Sequence, residues 1–170
     1  VGYAVLLDEM AMWIWEGLFA TTNAVQLTML LLEQRRARLT TEEENLRRAM
    51  FNQLSVVDFH RLLRTGTWVS AEAGNVLTTQ GMPVVRIVLV TDGAAEVDID
   101  GNIVAYCRRG DFIGEMAFVS GNPASATVTS IGPMRYLMWR FDDLRTLLEK
   151  QPDIRSALQS VFNRNLIEKL

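Results

Sequence analysis

The chain has 170 residues, a formal net charge of −3 and 49% hydrophobic residues, enough for one well-buried domain with an appendage but too little for two full domains. The acidic balance gives no whole-chain attraction to nucleic acid, and a single cysteine, Cys107, excludes an internal disulfide. The one histidine, His60, has no acid or cysteine at ligating or catalytic spacing, which leaves zinc and triad chemistry without partners.

The first element is the apolar run "MAMWIWEGLFATTNAVQLTMLLL", Met10 to Leu32, about as long as a bilayer-spanning helix needs. Trp13 and Trp15 stand near its start, Asp8 and Glu9 precede it, and Arg35, Arg36 and Arg38 follow it. The positive-inside bias predicts a membrane region over residues 1–38 and a cytoplasmic domain over residues 39–170. Glu16, Asn23 and Gln26 interrupt the run and fall within roughly 80° of one another on a helix. Such a stripe suits packing on other helices and predicts a homo-oligomer or membrane-protein partners. The alternatives are a helix lying on the membrane surface or forming a dimer, and a buried globular helix.

Next, "LTTEEENLRRAMFNQL" predicts a short helix capped by Thr40 or Thr41, with acids in its first turn. "SVVDFHRLLRTG" predicts a second, capped by Ser55 with Asp58 three residues on and closed by Gly66, with His60 and Arg61 on its solvent side. From Thr67 the period changes to short β-branched or alternating runs: "TWVSA", "NVLTT", "VVRIVLVT", "AAEVDID", "NIVAYCR", "ASATVTS" and "RYLMWRF". Turn signals separate them, and "AEVDIDGNIVAY" alternates on both sides of Asp100-Gly101, the mark of a hairpin. The fold class that follows is mainly β with flanking helices, a jelly-roll or other sandwich or barrel, with Cys107 as a small core residue. After Trp139 the helical period returns in "DDLRTLLEKQ". It continues in a helix begun by Pro152, with an apolar stripe at Ile154, Leu158, Val161 and Phe162.

"GDFIGEMAFVSGNPASATV", Gly110 to Val128, has the glycines, the acid and the small polar run of a phosphate cradle, yet contains no arginine or lysine. With the element order above, it resembles the phosphate-binding cassette of a cyclic nucleotide-binding domain, a likeness extending from Leu39 to Leu170. The resemblance implies a jelly-roll β-barrel with a ligand site at Gly114, Glu115, Met116, Ala117, Ser125, Ala126 and Thr127. Glu115 would hold the ribose 2′-hydroxyl, and the amides of the short helix after it would face the cyclic phosphate. The arginine that normally follows the proline is missing, since Pro123 is followed by Ala124. An arginine–phosphate pair is worth about 1.5–3 kcal/mol, or one to two decades of affinity. Helix-start amides and the Ser125 and Thr127 hydroxyls are the remaining donors, with Arg86, Arg108, Arg109 or Arg135 as substitutes from neighbouring strands.

The whole chain is similar to the Popeye family, in which membrane helices precede a cytoplasmic cyclic nucleotide-binding-like domain. "LEQRRARLTTEEENLRRAMFNQL", "RYLMWRFDDLRTLLEKQPDI" and "RNLIEKL" carry that likeness. Members are described as binding cyclic AMP without the usual arginine. Animal members carry Asp-Ser-Pro-Glu where this chain has Gly114-Glu115-Met116-Ala117, so it resembles a bacterial-type cousin.

The implied function is a membrane-anchored regulatory module, not an enzyme, that binds cyclic AMP as ligand and needs no cofactor or metal. The alternative is a degenerate pocket serving as a ligand-free oligomerisation or protein-interaction scaffold. No Walker lysine loop, G-x-S-x-G or H-E-x-x-H motif points to catalysis, and an acidic domain behind an apolar helix is not expected to read DNA.

Overall fold

The computed structural model describes residues 15–16, 18–29 and 39–168. Its contacts divide the chain into two units, Val1–Arg38 and Leu39–Leu170. In the first, residues 18–29 are helical, and the side chains of Leu18, Phe19, Leu27 and Met29 are exposed. Threonine hydroxyls turn back onto the helix, Thr22 to the Leu18 carbonyl and Thr28 to that of Ala24.

The expected membrane-spanning helix is not found there: among the described residues, no helix is long and apolar enough to cross a membrane. Glu16, Asn23, Gln26 and the threonines dilute the apolar run within this stretch, and residues 10–14, 17 and 30–32 of the expected span lie outside the described residues.

The second unit opens with α1 (Thr41–Met50) and α2 (Val56–Thr65). Thr40 starts α1 with a capping box: its hydroxyl accepts from the Glu43 amide while the Glu43 carboxylate accepts from the Thr40 amide at 2.7 Å. One turn on, Arg47 and Arg48 donate to the Glu44 carboxylate at 3.0 and 2.7 Å. These hydrogen bonds, that from Arg47 foremost, lower its pKa to about 2. Ser55 caps α2 and Gly66 ends it, as the spacing predicts. His60 and Arg61 are half-buried rather than on an open solvent face, because Arg61 reaches Asp58 at 3.2 Å and Gln151 at 3.3 Å.

Eight strands follow: β1 (Thr67–Ala71), β2 (Val76–Thr78), β3 (Arg86–Asp92), β4 (Ala94–Ile99), β5 (Asn102–Arg108), β6 (Phe112–Ile113), β7 (Thr127–Ser130) and β8 (Met134–Arg140). The short helix α3 (Glu115–Ser120) interrupts them between β6 and β7, and α4 (Phe141–Lys150) and α5 (Pro152–Glu168) close the chain. The strands form two antiparallel four-stranded sheets, ordered β1-β8-β3-β6 and β2-β7-β4-β5. This is the jelly roll with flanking helices that the pattern predicts.

Asp100 and Gly101 take positive φ values of 53° and 83°, the mirror-image turn that matches strand twist in a two-residue hairpin. Several details differ from the sequence reading. Residues 124–126 are not strand, Phe141 begins a helix instead of ending a strand, and β6 had only two residues with which to announce itself.

Two cores share the first sheet. Ile87 and Leu89 of β3, with Leu137 and Trp139 of β8, pack against the helices through Phe59, Leu62, Leu144, Ile154 and Leu158. Val88 and Val90, with Met134 and Tyr136, face the second sheet and meet Leu77, Ala95, Cys107 and Val128. The apolar run of β3 is therefore continuous because both of its faces are covered. Cys107 is buried in the inter-sheet core, as its place in the alternation predicts.

Candidate functional site

The segment after β6 turns sharply at Gly114, which holds φ at +87° and serves as the N-cap of α3. An added Cβ there would stand 2.8 Å from the Arg86 carbonyl oxygen, so the position requires glycine both for its left-handed backbone and for its closeness to β3. The turn delivers Glu115 inward. Glu115 is only 4% exposed although its neighbour Met116 is open to solvent.

Glu115 lies on the wall of a cavity of about 530 Å³ between the second sheet and α3. Gly114, Met116 and Ala117 share that wall, and Ala124, Ser125 and Ala126 face it from the segment before β7. Thr127 does not line the cavity. It belongs to the opposite face of the strand, where its hydroxyl accepts the Gln80 amide at 3.0 Å. Main-chain bonds from Gly81 to the Ala124 carbonyl and from Ala124 to the Met82 carbonyl pin the same segment down. Six of the seven expected residues are thus brought together, and the seventh starts the strand that follows two of them.

The cavity also takes in residues that the sequence reading passed over. Val97 of β4 and Ala105 of β5, register partners across the hairpin, line it alongside Tyr106 and Cys107. The hairpin register shows that Ala105 shares a face with the buried Cys107, a signal already present in the alternation. Asp111 is a second carboxylate on the lining, and it accepts the Arg108 amide at 2.7 Å.

No arginine or lysine is among the lining side chains. The four expected substitutes lie elsewhere. Arg108 and Arg109 are exposed at the end of the hairpin. Arg135 sits 4.9 Å over the Trp68 ring and 3.5 Å from Glu42, and Arg86 faces a separate groove. The cavity therefore has carboxylates, hydroxyls and main-chain amides, but no fixed cation.

The C-terminal helices are wired to this site. Asn165 of α5 is buried, accepting the Phe112 amide at 3.2 Å and donating to the Gly110 carbonyl at 3.3 Å. Phe162 meets Phe112 edge-on with centroids 5.0 Å apart, and Phe118 of α3 meets Phe141 of α4 in the same way at 5.0 Å. Asn165 continues the stripe of Leu158, Val161 and Phe162 at helical spacing, so its burial was available to a longer reading of that stripe. Among the described residues, no cluster of His, Cys, Asp or Glu could hold a metal ion.

Residues 68–151 match the cyclic nucleotide-binding domain family. A cyclic nucleotide-gated potassium channel of Mesorhizobium japonicum is 30% identical over 67% of this chain and 30% of its own length. A cAMP-dependent protein kinase regulatory subunit of Aspergillus fumigatus is 32% identical over 48% of this chain and 20% of its own. The chain thus spans less than a third of either relative. A crystallised cyclic nucleotide-binding domain from Methylobacillus flagellatus superposes with a TM-score of 0.61 at 25% identity, covering 68% of this chain and 70% of that one. With the jelly roll, the cassette turn at Gly114 and the buried Glu115, these matches show that the β-roll of this chain belongs to the cyclic nucleotide-binding domain family.

Proposed function

We propose that the roll is a regulatory, non-catalytic module that takes cyclic AMP into the cavity beneath α3 and passes its occupancy to α4 and α5. The observation that carries this reading is Glu115, a carboxylate that is 4% exposed on the wall of a cavity of about 530 Å³. A buried carboxylate on a cavity wall suits an acceptor for a ligand's hydroxyl groups, here the ribose 2′-hydroxyl. Gly114 to Ala117 and Ser125 to Thr127 form the rest of the site, with main-chain amides and the Ser125 hydroxyl meeting the phosphate and Thr127 holding the strand. The Asn165 bonds and the paired phenylalanines supply the route to the helices. Likeness to a cAMP-dependent regulatory subunit supports the choice of ligand.

Calorimetry on the whole chain tests it. Wild type should bind cyclic AMP weakly and in preference to linear AMP, and Glu115→Ala should bind about ten- to a hundred-fold more weakly. Ala124 lines the cavity, so Ala124→Arg returns a cation to the wall and should tighten binding by a similar factor. No heat at millimolar ligand from wild type and Ala124→Arg alike would leave the cassette as a structural relic. Heat from Ala124→Arg alone would mean an intact fold that has given up its ligand. Either result favours the second reading, a ligand-free scaffold, which the missing cation and the two lining carboxylates support.

The anchored, Popeye-like form of this proposal rests on the apolar run at residues 10–32 and the arginines after it, and likeness to a potassium channel accords with it. It places the roll on the cytoplasmic side, with homo-oligomers or membrane-protein partners held through the Glu16, Asn23 and Gln26 stripe. Membranes washed in alkaline carbonate and then crosslinked in detergent check both parts. The chain should stay in the pellet and yield dimers or larger species; release into the wash would end the anchor, and monomer alone the assembly.

A further inference from the structure

A second concavity lies across α3 from the cavity just described, and Ala117 is on the wall of both. It is a groove of about 750 Å³ backed by Val84, Met138 and Phe141. Three arginines from separate elements line it: Arg86 on β3, Arg140 at the end of β8 and Arg145 on α4. Asp142 is the single carboxylate on this lining, so three positive charges against one negative leave a surplus of two. The first cavity has the opposite sign, with Asp111 and Glu115 and no cation.

Two of the guanidinium groups have no carboxylate partner among the described residues, and the third has only a long one. The Arg145 guanidinium lies over the Phe118 and Phe141 rings at 5.4 and 5.6 Å, contacts that hold it on the wall of the groove. Arg86 rests an Nη1 on the Met138 sulfur at 3.8 Å, a weak acceptor. Arg140 has one long exposed pair, 3.9 Å to Asp143, of a kind that contributes little. Among the described residues, neither Arg86 nor Arg145 forms an ion pair.

Three like charges around one concavity repel one another, and a compact polyanion relieves that repulsion. Planar guanidinium forks match phosphoryl oxygens two at a time, and the apolar backing limits screening by water. We propose that this groove binds a ligand carrying adjacent phosphoryl groups, at a site separate from the cavity on the other side of α3. Neighbouring headgroups on an anionic lipid surface also present adjacent phosphates, and the test below distinguishes that source from a soluble polyphosphate.

The probe is inorganic tripolyphosphate, titrated by calorimetry into the whole chain at low salt. Wild type should bind, and Arg86→Gln with Arg140→Gln should weaken binding at least tenfold. These side chains are exposed, so the double variant should keep the wild-type melting temperature. Arg108→Gln with Arg109→Gln, equally exposed but outside the groove, should leave affinity unchanged. A parallel arm sediments wild type and the groove variant with vesicles of phosphatidylcholine and phosphatidylglycerol. Loss of tripolyphosphate binding in the groove variant places the ligand in solution. Loss of sedimentation in that variant, with no tripolyphosphate binding by wild type, places it in a headgroup. Binding of neither probe, or binding weakened equally by the Arg108 and Arg109 pair, overturns the proposal.

Discussion

Trp139→Ala should destabilise the second unit by about 3–5 kcal/mol, the range for deleting a large buried aromatic side chain. Trp139 is 1% exposed at the centre of the core beneath the helices, and its indole Nε1 donates to the Leu62 carbonyl at 2.9 Å. Leu62 lies in the last turn of α2, where carbonyls have no partner within the helix. One side chain thus fills the core and satisfies a buried acceptor, tying α2 to β8. Packing can be separated from the hydrogen bond. Trp139→Phe keeps most of the apolar volume and orphans the Leu62 carbonyl, so its expected cost is about 1–3 kcal/mol. Domains are stable by about 5–15 kcal/mol, so the alanine variant should melt well below wild type or fail to accumulate. Urea unfolding measures both; a loss below about 1 kcal/mol for Trp139→Ala would contradict this account of the core.

Gly114→Ala should be the most damaging single change to the cavity. Its left-handed backbone alone costs an alanine about 1–2 kcal/mol, and the new Cβ would press on the Arg86 carbonyl at 2.8 Å. Relief requires α3 to move off β3, which carries Glu115 away from its place on the wall. Gly101→Ala is the matched control, with φ at +83° and nothing within 4 Å of an added Cβ. Gly101→Ala should show the dihedral cost alone and leave the cavity as it is. Gly114→Ala should lose more stability and at least tenfold in cyclic AMP affinity. Equal melting temperatures for the two variants would show that the Arg86 carbonyl yields without consequence.

Much of this architecture is legible in the residues because the physics is local. Capping side chains at Thr40 and Ser55 and the Asp100-Gly101 turn each announce themselves within a few positions. What escapes depends on distant partners. β6 is two residues long and is defined by pairing with Val88 and Leu89. The facing of Thr127 depends on the Gln80 amide, 47 positions away. The sequence carried the missing arginine after Pro123 plainly, but not the destination of the remaining arginines. Only the fold puts Arg86, Arg140 and Arg145 together on the far side of α3.

The alternation of β3 and β8 between two cores bears on how the domain comes apart. Ile87, Leu89, Leu137 and Trp139 serve the helices, while Val88, Val90, Met134 and Tyr136 serve the second sheet. A strand cannot release one set of side chains into water and keep the geometry that buries the other. Loss of the helical layer would therefore expose one face of the very strands on which the inter-sheet core is built, and loss of the second sheet would do the reverse. Two cores separated by a single sheet in this way behave as one cooperative unit, so damage at either is felt across the whole domain.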